Sequence, residues 1–371
     1  MSLHSQKLPG PDAAPVKIHA VDLEDSDVQG WLVVDTVVDG MAFGGFRISP
    51  AVDQEEVAGL ARAMTWKLAG HGLPVGGAKG GLRADPTDPE TPARLKRFSE
   101  ACRELLTSVA VVGKDMGATD PLIDGIYEQL DVPQLHVARS RGDATSVPDR
   151  LRDLTGYRRH MTGLGVAWAV RAAMGGDVRG RRVAIQGCGL VGIGTAIRLH
   201  NMGARVVAIS DAGGGVVEPT GLSVDALVDP AAPKGQIPPG LQGERVARDH
   251  LFEIDSDVLV LAASSNSVGV KVAESARAPL VVEGSNFGLT AEAREVLHRR
   301  GIAVVPDLIA SSSSAAMVAR QLASRNTLSP DQLWEAIEGS ITRNTRETLA
   351  RTRETGQDSR VTYLQLIGAT D

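Results

Sequence analysis

The sequence predicts an α/β protein of two domains, and three observations carry that expectation. The chain has 371 residues, about twice the usual domain length, so it has room for two apolar cores. Its hydrophobic content is 43%, with 41 glycines but only five Phe, four Trp and three Tyr. The cores must therefore be built from Ala, Val, Leu and Ile, as in Gly-rich α/β proteins, and disorder and collagen are excluded. The third observation is a change of rhythm. From about residue 30 to 155, short strand-like runs mix with long amphipathic helices and Gly-rich turns, whereas from about 165 to 308 β-rich runs alternate with helical ones. That second rhythm belongs to a parallel sheet with helical crossovers.

In the first half, Asp53 followed by Glu56 has the spacing of a helix capping box, with Asp in place of Ser or Thr. The helix it opens carries Val57, Leu60 and Met64 on one stripe, and Lys67 is the next position on that stripe. Lysine is almost never buried without a partner, so an inward Lys67 is a functional suspect. The plainer alternative is a packed stem with the ammonium snorkelled into water. Twelve residues on, Gly76–Gly81 reads GGAKGG. Its neighbours have almost no side chains, so Lys79 can meet a ligand closely, and desolvation there would lower the ammonium towards neutrality, as a general base requires. A solvated glycine turn that happens to carry a lysine is the alternative. An amphipathic helix marked by Leu95, Phe98, Cys102 and Leu105 and a short strand, Val109–Val112, then lead to Gly113-Lys114-Asp115-Met116-Gly117. Asp115 stands just past a strand end, placed for a site or for capping a turn.

In the second half, strands are predicted at Arg182–Gln186, Arg205–Ser210, Asp257–Ala262, Pro279–Glu283 and Ile302–Val305. The first runs into Gly187-Cys188-Gly189-Leu190-Val191-Gly192, then a helical run, then the second strand ending at Asp211. A bare GxGxxG is a weak match, but strand, glycine triplet, helix, second strand and acid in that order make the strong form of the dinucleotide fingerprint. Gly187 permits the tight turn, Gly189 lets the backbone approach a pyrophosphate and Gly192 allows close helix packing. The helix N-terminus, at Leu190 and Val191, offers unpaired N–H groups to the phosphates. Asp211 would accept hydrogen bonds from the adenosine ribose and repel a 2′-phosphate, which favours NAD over NADP. Cys188 is read as a small filler. The stretch Pro330–Leu366 reads as helices, opened by Ser329 as cap with Pro330 in the first turn.

Composition also excludes function classes. The formal net charge is −6, from 39 basic and 45 acidic residues, with no long block of one sign, which argues against a nucleic-acid partner. The longest apolar run, Val258–Ala263, is far short of the roughly 20 residues that span a bilayer, and the N-terminal residues lack a signal-peptide apolar region, so no membrane partner and a cytoplasmic location are expected. Cys102 and Cys188 form no CxxC pair, and the eight histidines include no HExxH; no structural metal or disulfide is expected.

Taken in order over roughly residues 40 to 320, the motifs resemble those of the glutamate/leucine/phenylalanine/valine dehydrogenase family, the amino-acid dehydrogenases. They are GGFR (Gly44–Arg47), AMTWKLA (Ala63–Ala69), GGAKGG, KDMGATD (Lys114–Asp120), RRHMTGLGV (Arg158–Val166), GCGLVG, EGSN (Glu283–Asn286) and PDLIA (Pro306–Ala310). The resemblance implies a mixed-sheet α/β substrate domain over residues 1–155, a Rossmann-like NAD-binding domain over 156–325, helices over 326–371 that return to the first domain, and a homo-oligomer. Carried over by position, it implies that Lys67 holds the substrate α-carboxylate, that Lys79 is the base, and that Asp115 exchanges protons with the amino or imino nitrogen. Thr162 and Asn286 match positions near the nicotinamide. The implied reaction is reversible oxidative deamination of an L-amino acid to a 2-oxo acid and ammonia.

Substrate choice follows from charge. Glutamate members of the family carry a lysine directly before the paired Gly of GGxR and a serine further on, and those positions here are Phe43, beside Gly44, and Val318. An apolar wall leaves a second carboxylate desolvated and unpaired, so the expected type is that of leucine, valine or phenylalanine dehydrogenase, with a branched-chain or aromatic substrate. Three departures from the family pattern accompany this. Ser311–Ser314 replaces Asn-Ala-Gly-Gly, DLTGY precedes Arg158, and Met161 stands where alanine is usual. They leave two alternatives open, an enzyme for a specialised amino or imino acid of secondary metabolism, and a non-catalytic NAD-binding subunit.

Overall fold

The computed structural model describes residues 8–23, 28–133, 160–228, 232–324 and 328–369. The chain forms two compact units, one of Met1–Leu154, Ala315–Leu333 and Ile367–Asp371, the other of Thr155–Ser314 and Trp334–Leu366. The domain boundaries expected at 155/156 and 325/326 fall outside the described residues, as do Arg158, Arg159 and the DLTGY stretch.

The first unit is built on a five-stranded mixed sheet of order β1-β2-β4-β3-β5. Its strands are β1 (Lys17–Leu23), β2 (Val28–Val34), β3 (Ala42–Ile48), β4 (Gly76–Leu82) and β5 (Ala110–Lys114). β1 and β4 run antiparallel to β2, while β4 and β5 run parallel to β3. Alternation along the strands divides the apolar residues between two layers. Leu32, Val34, Phe46, Ile48, Ala78 and Leu82 join the main core with Leu95, Phe98, Leu106, Ile123 and Ile126 from α2 (Thr91–Ala101), α3 (Arg103–Ser108) and α4 (Asp120–Leu130). Trp31 and Val33 turn the other way, to Val57 and Ala61 of α1 (Gln54–Gly70).

The GGAKGG segment is not a turn. It is the buried strand β4, and its glycines are demanded by what lies over them. A Cβ at Gly77 would strike the α1 backbone at Ala61 and Thr65, one at Gly81 would strike Val57, and one at Gly80 would enter the Phe46 ring. Phe46 and Phe98 pack edge to face at 5.2 Å on that opposite side. Helix and rings thus take the volume that side chains would fill.

The second unit has a seven-stranded sheet of order β12-β11-β10-β6-β7-β8-β9. Its members are β6 (Arg182–Gln186), β7 (Arg205–Ser210), β8 (Gly215–Val217), β9 (Glu244–Val246), β10 (Val258–Leu261), β11 (Leu280–Glu283) and β12 (Ala303–Val305). Five strands are parallel, as the alternating rhythm predicts; β8 and β9 extend the edge in antiparallel fashion. β7 lies on one side of β6 and β10 on the other, so the strand order switches direction at the end of β6, where open α/β sheets bind ligands. The remaining helices in chain order are α5 (Met161–Ala173), α6 (Leu190–Asn201), α7 (Val270–Ser275), α8 (Ala291–Arg299), α9 (Asp307–Ala310), α10 (Ser313–Ala323), α11 (Pro330–Thr355) and α12 (Ser359–Leu366), of which α10 falls almost wholly in the first unit. Ser329 Oγ accepts the Gln332 amide and Gln332 Oε1 accepts the Ser329 amide, a reciprocal cap for α11.

The chain returns to the first unit through Ala315–Leu333 and again at its end, where Leu8 bridges to Ala369. Most of α11 and all of α12 belong instead to the second unit. Ion pairs join them to it, Arg171 with Glu338 and Arg360 with Asp307.

Candidate active site

On the α1 side of the first sheet, alternate residues of three strands stand side by side. These are Phe43, Gly45 and Arg47 on β3, Gly77, Lys79 and Gly81 on β4, and Val111, Gly113 and then Asp115 at the end of β5. Lys79 Nζ donates to Asp115 Oδ2 at 2.5 Å. Gly45 lies beneath this pair, since a Cβ there would sit 2.8 Å from the Asp115 Cβ and 3.1 Å from Lys79 Nζ. Beside it, Gly113 lies under the Phe43 ring, whose nearest carbon would be 3.8 Å from an added Cβ. Two glycines thus make a floor with an ion pair on one side and an aromatic ring on the other.

Lys79 is 4% exposed. Burial lowers its ammonium below the ordinary lysine range, and the nearby Arg47 adds to this against the pull of Asp115. For Asp115 burial works upward, but the Lys79 and Arg47 charges outweigh it and hold the carboxyl below the usual carboxylate range. Lys67 is also 4% exposed, so it does not snorkel. It lies on α1, just past the Ala61–Thr65 stretch that rests on Gly77. Val318, on α10, is buried.

In the second unit, the β6–α6 turn has the form that phosphate binding requires. Gly187 takes φ +104°, where a side chain would be strained, and a Cβ at Gly192 would enter the Gly187 carbonyl. Around Gly189, the N-cap of α6, an added Cβ would meet nothing within 4 Å, and Leu190 beside it is 63% exposed. The start of α6 is therefore open on the side to which a Gly189 side chain would point. At the end of β7, Asp211 Oδ1 accepts the amides of Gly213 and Gly214, and Oδ2 that of Ile237 at 2.7 Å. These fix the carboxylate while leaving lone pairs for a diol.

Two buried carboxylates hold the EGSN loop that carries the half-buried Asn286. Glu283 accepts both Arg294 guanidinium nitrogens, at 2.7 and 3.0 Å, and the Leu289 amide. Asp307 accepts the Phe287 amide and pairs with Arg360, which stacks on the Phe287 ring. Thr162, half-buried, stands in the first turn of α5. The Ser311–Ser313 hydroxyls donate to Asp307 O, Ile309 O and Met161 O. Ser313 fits because Gly165 offers no Cβ to meet it. These serines stitch helix ends together and three of the four hydroxyls are already engaged.

Thus Lys79 and Asp115 are brought into contact, with Phe43 and Gly44 on the adjoining strand and Lys67 on the helix above it. Gly187, Gly189, Leu190, Val191, Gly192, Asp211, Thr162 and Asn286 belong to the second unit. Sequence reasoning missed Arg47, which donates to Asp115 Oδ2 at 3.3 Å and to Glu56 Oε1 at 2.5 Å, although the GGFR motif contained it. It also missed Tyr127, whose hydroxyl accepts the Val112 amide and donates to the Val112 carbonyl on β5. Among the described residues, no group of three or more His, Cys, Asp or Glu is arranged to hold a metal, and no helix is long and apolar enough to cross a membrane.

Fold and site together define an oxidoreductase with a Rossmann-like unit. The chain belongs to the glutamate/leucine/phenylalanine/valine dehydrogenase family, whose model matches residues 155–367, while the family's N-terminal dimerisation domain matches residues 15–131. It is 34% identical over 306 residues to an NADP-specific glutamate dehydrogenase of Saccharolobus shibatae, covering 80% of this chain and 71% of that one. It is 35% identical over 279 residues to an NAD-specific glutamate dehydrogenase of Staphylococcus aureus, covering 74% and 67%. A crystal structure of hetero-hexameric glutamate dehydrogenase from Thermus thermophilus with Leu bound superposes with a TM-score of 0.75 at 27% identity, over 95% of this chain and 88% of that one. The names of these relatives do not carry the expected likeness to the leucine, valine and phenylalanine branch.

Proposed function

We propose that the protein catalyses the reversible oxidative deamination of an apolar L-amino acid to its 2-oxo acid and ammonia, with NAD as cofactor. The observation that carries this reading is the partly buried Lys79–Asp115 contact above the glycine floor. Nicotinamide dinucleotide supplies a hydride acceptor, and the uncrowded helix start at Gly189 with the fixed Asp211 fits its phosphates and ribose. The Asp211 charge opposes a 2′-phosphate, which supports NAD; the named relatives include both specificities.

The chain's own residues then handle protons. Lys67 binds the substrate α-carboxylate. Once the Cα hydride has left, water adds to the imine carbon and Lys79, neutral at that moment, takes the proton. Asp115, a carboxylate in the free site, takes a proton from the substrate ammonium before the hydride leaves and returns it to the nitrogen of the water adduct; the C–N bond then breaks, the hydroxyl proton passes to solvent, and ammonia and the 2-oxo acid are released. A lysine lowered by burial suits this role, because a base works best with a proton affinity near the working pH. Phe43 and Val318 support an apolar substrate.

The relatives' names favour a second reading, glutamate as substrate. A panel of amino acids scored by nicotinamide absorbance separates the two, and equal or faster turnover of glutamate than of Leu, Val, Ile and Phe would reject the apolar assignment. Lys79→Ala is expected to lower turnover by about 10²–10⁴-fold, the usual worth of a general base, while NAD binding persists; a variant as active as the parent would remove Lys79 from the mechanism. The dimerisation-domain match and the hetero-hexameric Thermus relative support an oligomer.

A further inference from the structure

Lys79 and Asp115 do not stand alone. Arg47, 5% exposed, meets the same Asp115 oxygen that Lys79 meets, at 3.3 Å, and turns its other arm to Glu56 at 2.5 Å. The four side chains form one alternating row, Glu56, Arg47, Asp115, Lys79. It runs from the partly exposed first turn of α1, where the Glu56 side chain is 34% exposed, to the buried lysine, whose side chain is 4% exposed. Every member comes from a different element, α1, β3, the end of β5 and β4.

We propose that Arg47 is a positioning residue for the Lys79–Asp115 couple, anchored by Glu56, and that this row sets how readily Lys79 gives up its proton. The inference rests on the reading of Lys79 as base. Physically, one carboxylate oxygen shared by two cations binds each less tightly than it would bind one alone. Arg47 also places a second positive charge near the ammonium, which disfavours its protonated form. Glu56 opposes this by drawing Arg47 towards itself and by its own negative charge. The charged groups acting on Lys79 are Asp115 from β5, Arg47 from β3 and Glu56 from α1. The other described charges on that face include Lys67 and the Arg62–Asp35 pair, which is closed on itself at 2.6 Å.

The two ends of the row therefore push in opposite directions. In Arg47→Gln, Asp115 pairs with Lys79 alone and the ammonium is held more firmly. In Glu56→Gln, Arg47 acts on the couple without its counterweight and the ammonium is held less firmly. Competitive acetylation with acetic anhydride across a pH series, read on the Lys79 peptide by mass spectrometry, follows the neutral amine in the full chain without reference to turnover. The midpoint is expected to move up by about one pH unit in Arg47→Gln and down by a smaller amount in Glu56→Gln, as for unit charges a few Å away in a protein. The acid limb of kcat/KM for deamination moves with each. Arg47→Lys keeps the charge and brings the midpoint back towards that of the parent. Unmoved midpoints, or shifts of the same sign in both Gln variants, would overturn the proposal. Should Arg47→Gln fail to fold, Glu56→Gln, which leaves the buried ions paired, decides by the sign of its shift. Lys79→Ala with full turnover would reject the base assignment, and the acetylation midpoints would still judge the row.

Discussion

Gly45→Ala adds one carbon at the floor of the site. Gly45 does not need a left-handed backbone, so the effect is steric and local. The new Cβ would lie 2.8 Å from the Asp115 Cβ, whereas carbons pack at about 3.5 Å or more; Asp115 must retreat by about 0.7 Å or β3 must bow by as much. Either movement stretches the 2.5 Å contact between Asp115 and Lys79, and the added carbon crowds Lys79 Nζ at 3.1 Å. Misplacement of reacting groups by about 1 Å costs on the order of 10²-fold in rate, so kcat/KM is expected to fall roughly 30- to 100-fold. Stability falls by only about 1–2 kcal/mol, the usual penalty of slight overpacking. Two neighbours calibrate the result. A Cβ at Gly44 would enter the Ala78 carbonyl, a backbone clash that separates β3 from β4, so Gly44→Ala loses the fold. A Cβ at Gly59 on α1 meets nothing within 4 Å, so Gly59→Ala keeps its activity and gains up to about 1 kcal/mol. Nicotinamide absorbance gives the rates and urea denaturation the stabilities. A Gly45→Ala enzyme with kcat/KM within about threefold of the parent, a difference under 1 kcal/mol, would refute the claim that this floor sets the geometry of the pair.

Tyr127→Phe removes the hydroxyl that satisfies both the amide and the carbonyl of Val112. β5 is an edge strand, so these buried groups have no neighbouring strand to take them, and a loss of about 1–3 kcal/mol is expected in urea denaturation; an unchanged midpoint would show that water replaces the hydroxyl. Burial pushes the Cys102 thiol up to about 12 and that of Cys188 up to about 11. Both should resist Ellman's reagent at pH 8 in the folded protein and react on unfolding, and a thiol that reacts at once in the native state would contradict the packing of the β6–α6 turn or of the first core.

The Rossmann-like unit was the legible half. β6 and β7 occupy the predicted residues because buried parallel strands read as unbroken aliphatic runs bounded by turn signals. β8 and β9 were not foreseen, since three residues such as Gly215–Val217 hold too few positions to show a period. GGAKGG failed as a strand for a different reason. Glycine is depleted in strands, so local preference points to a turn, and only the α1 backbone and the Phe46 ring lying over Gly77 and Gly80 explain why this strand must be glycine. The glycine spacing of the dinucleotide turn was legible because each glycine answers a constraint within a few residues of itself.

Glu56 shows where such local reading stops. Its distance from Asp53 is that of a capping box, and half of the box forms, with Asp53 Oδ1 accepting the Glu56 amide at 2.8 Å. The reciprocal arm would take the Glu56 carboxylate to the Asp53 amide, but that carboxylate is bound to Arg47 instead. Pairing with the guanidinium adds the attraction of opposite charges that a neutral amide cannot offer, and the Asp53 amide can turn to water at an exposed helix start, whereas a buried Arg47 cannot. The pairing is thus decided by the burial of Arg47 on β3, a tertiary fact that the three-residue spacing does not contain, and a carboxylate assigned by sequence to a helix cap comes to stand in the row that ends at Lys79.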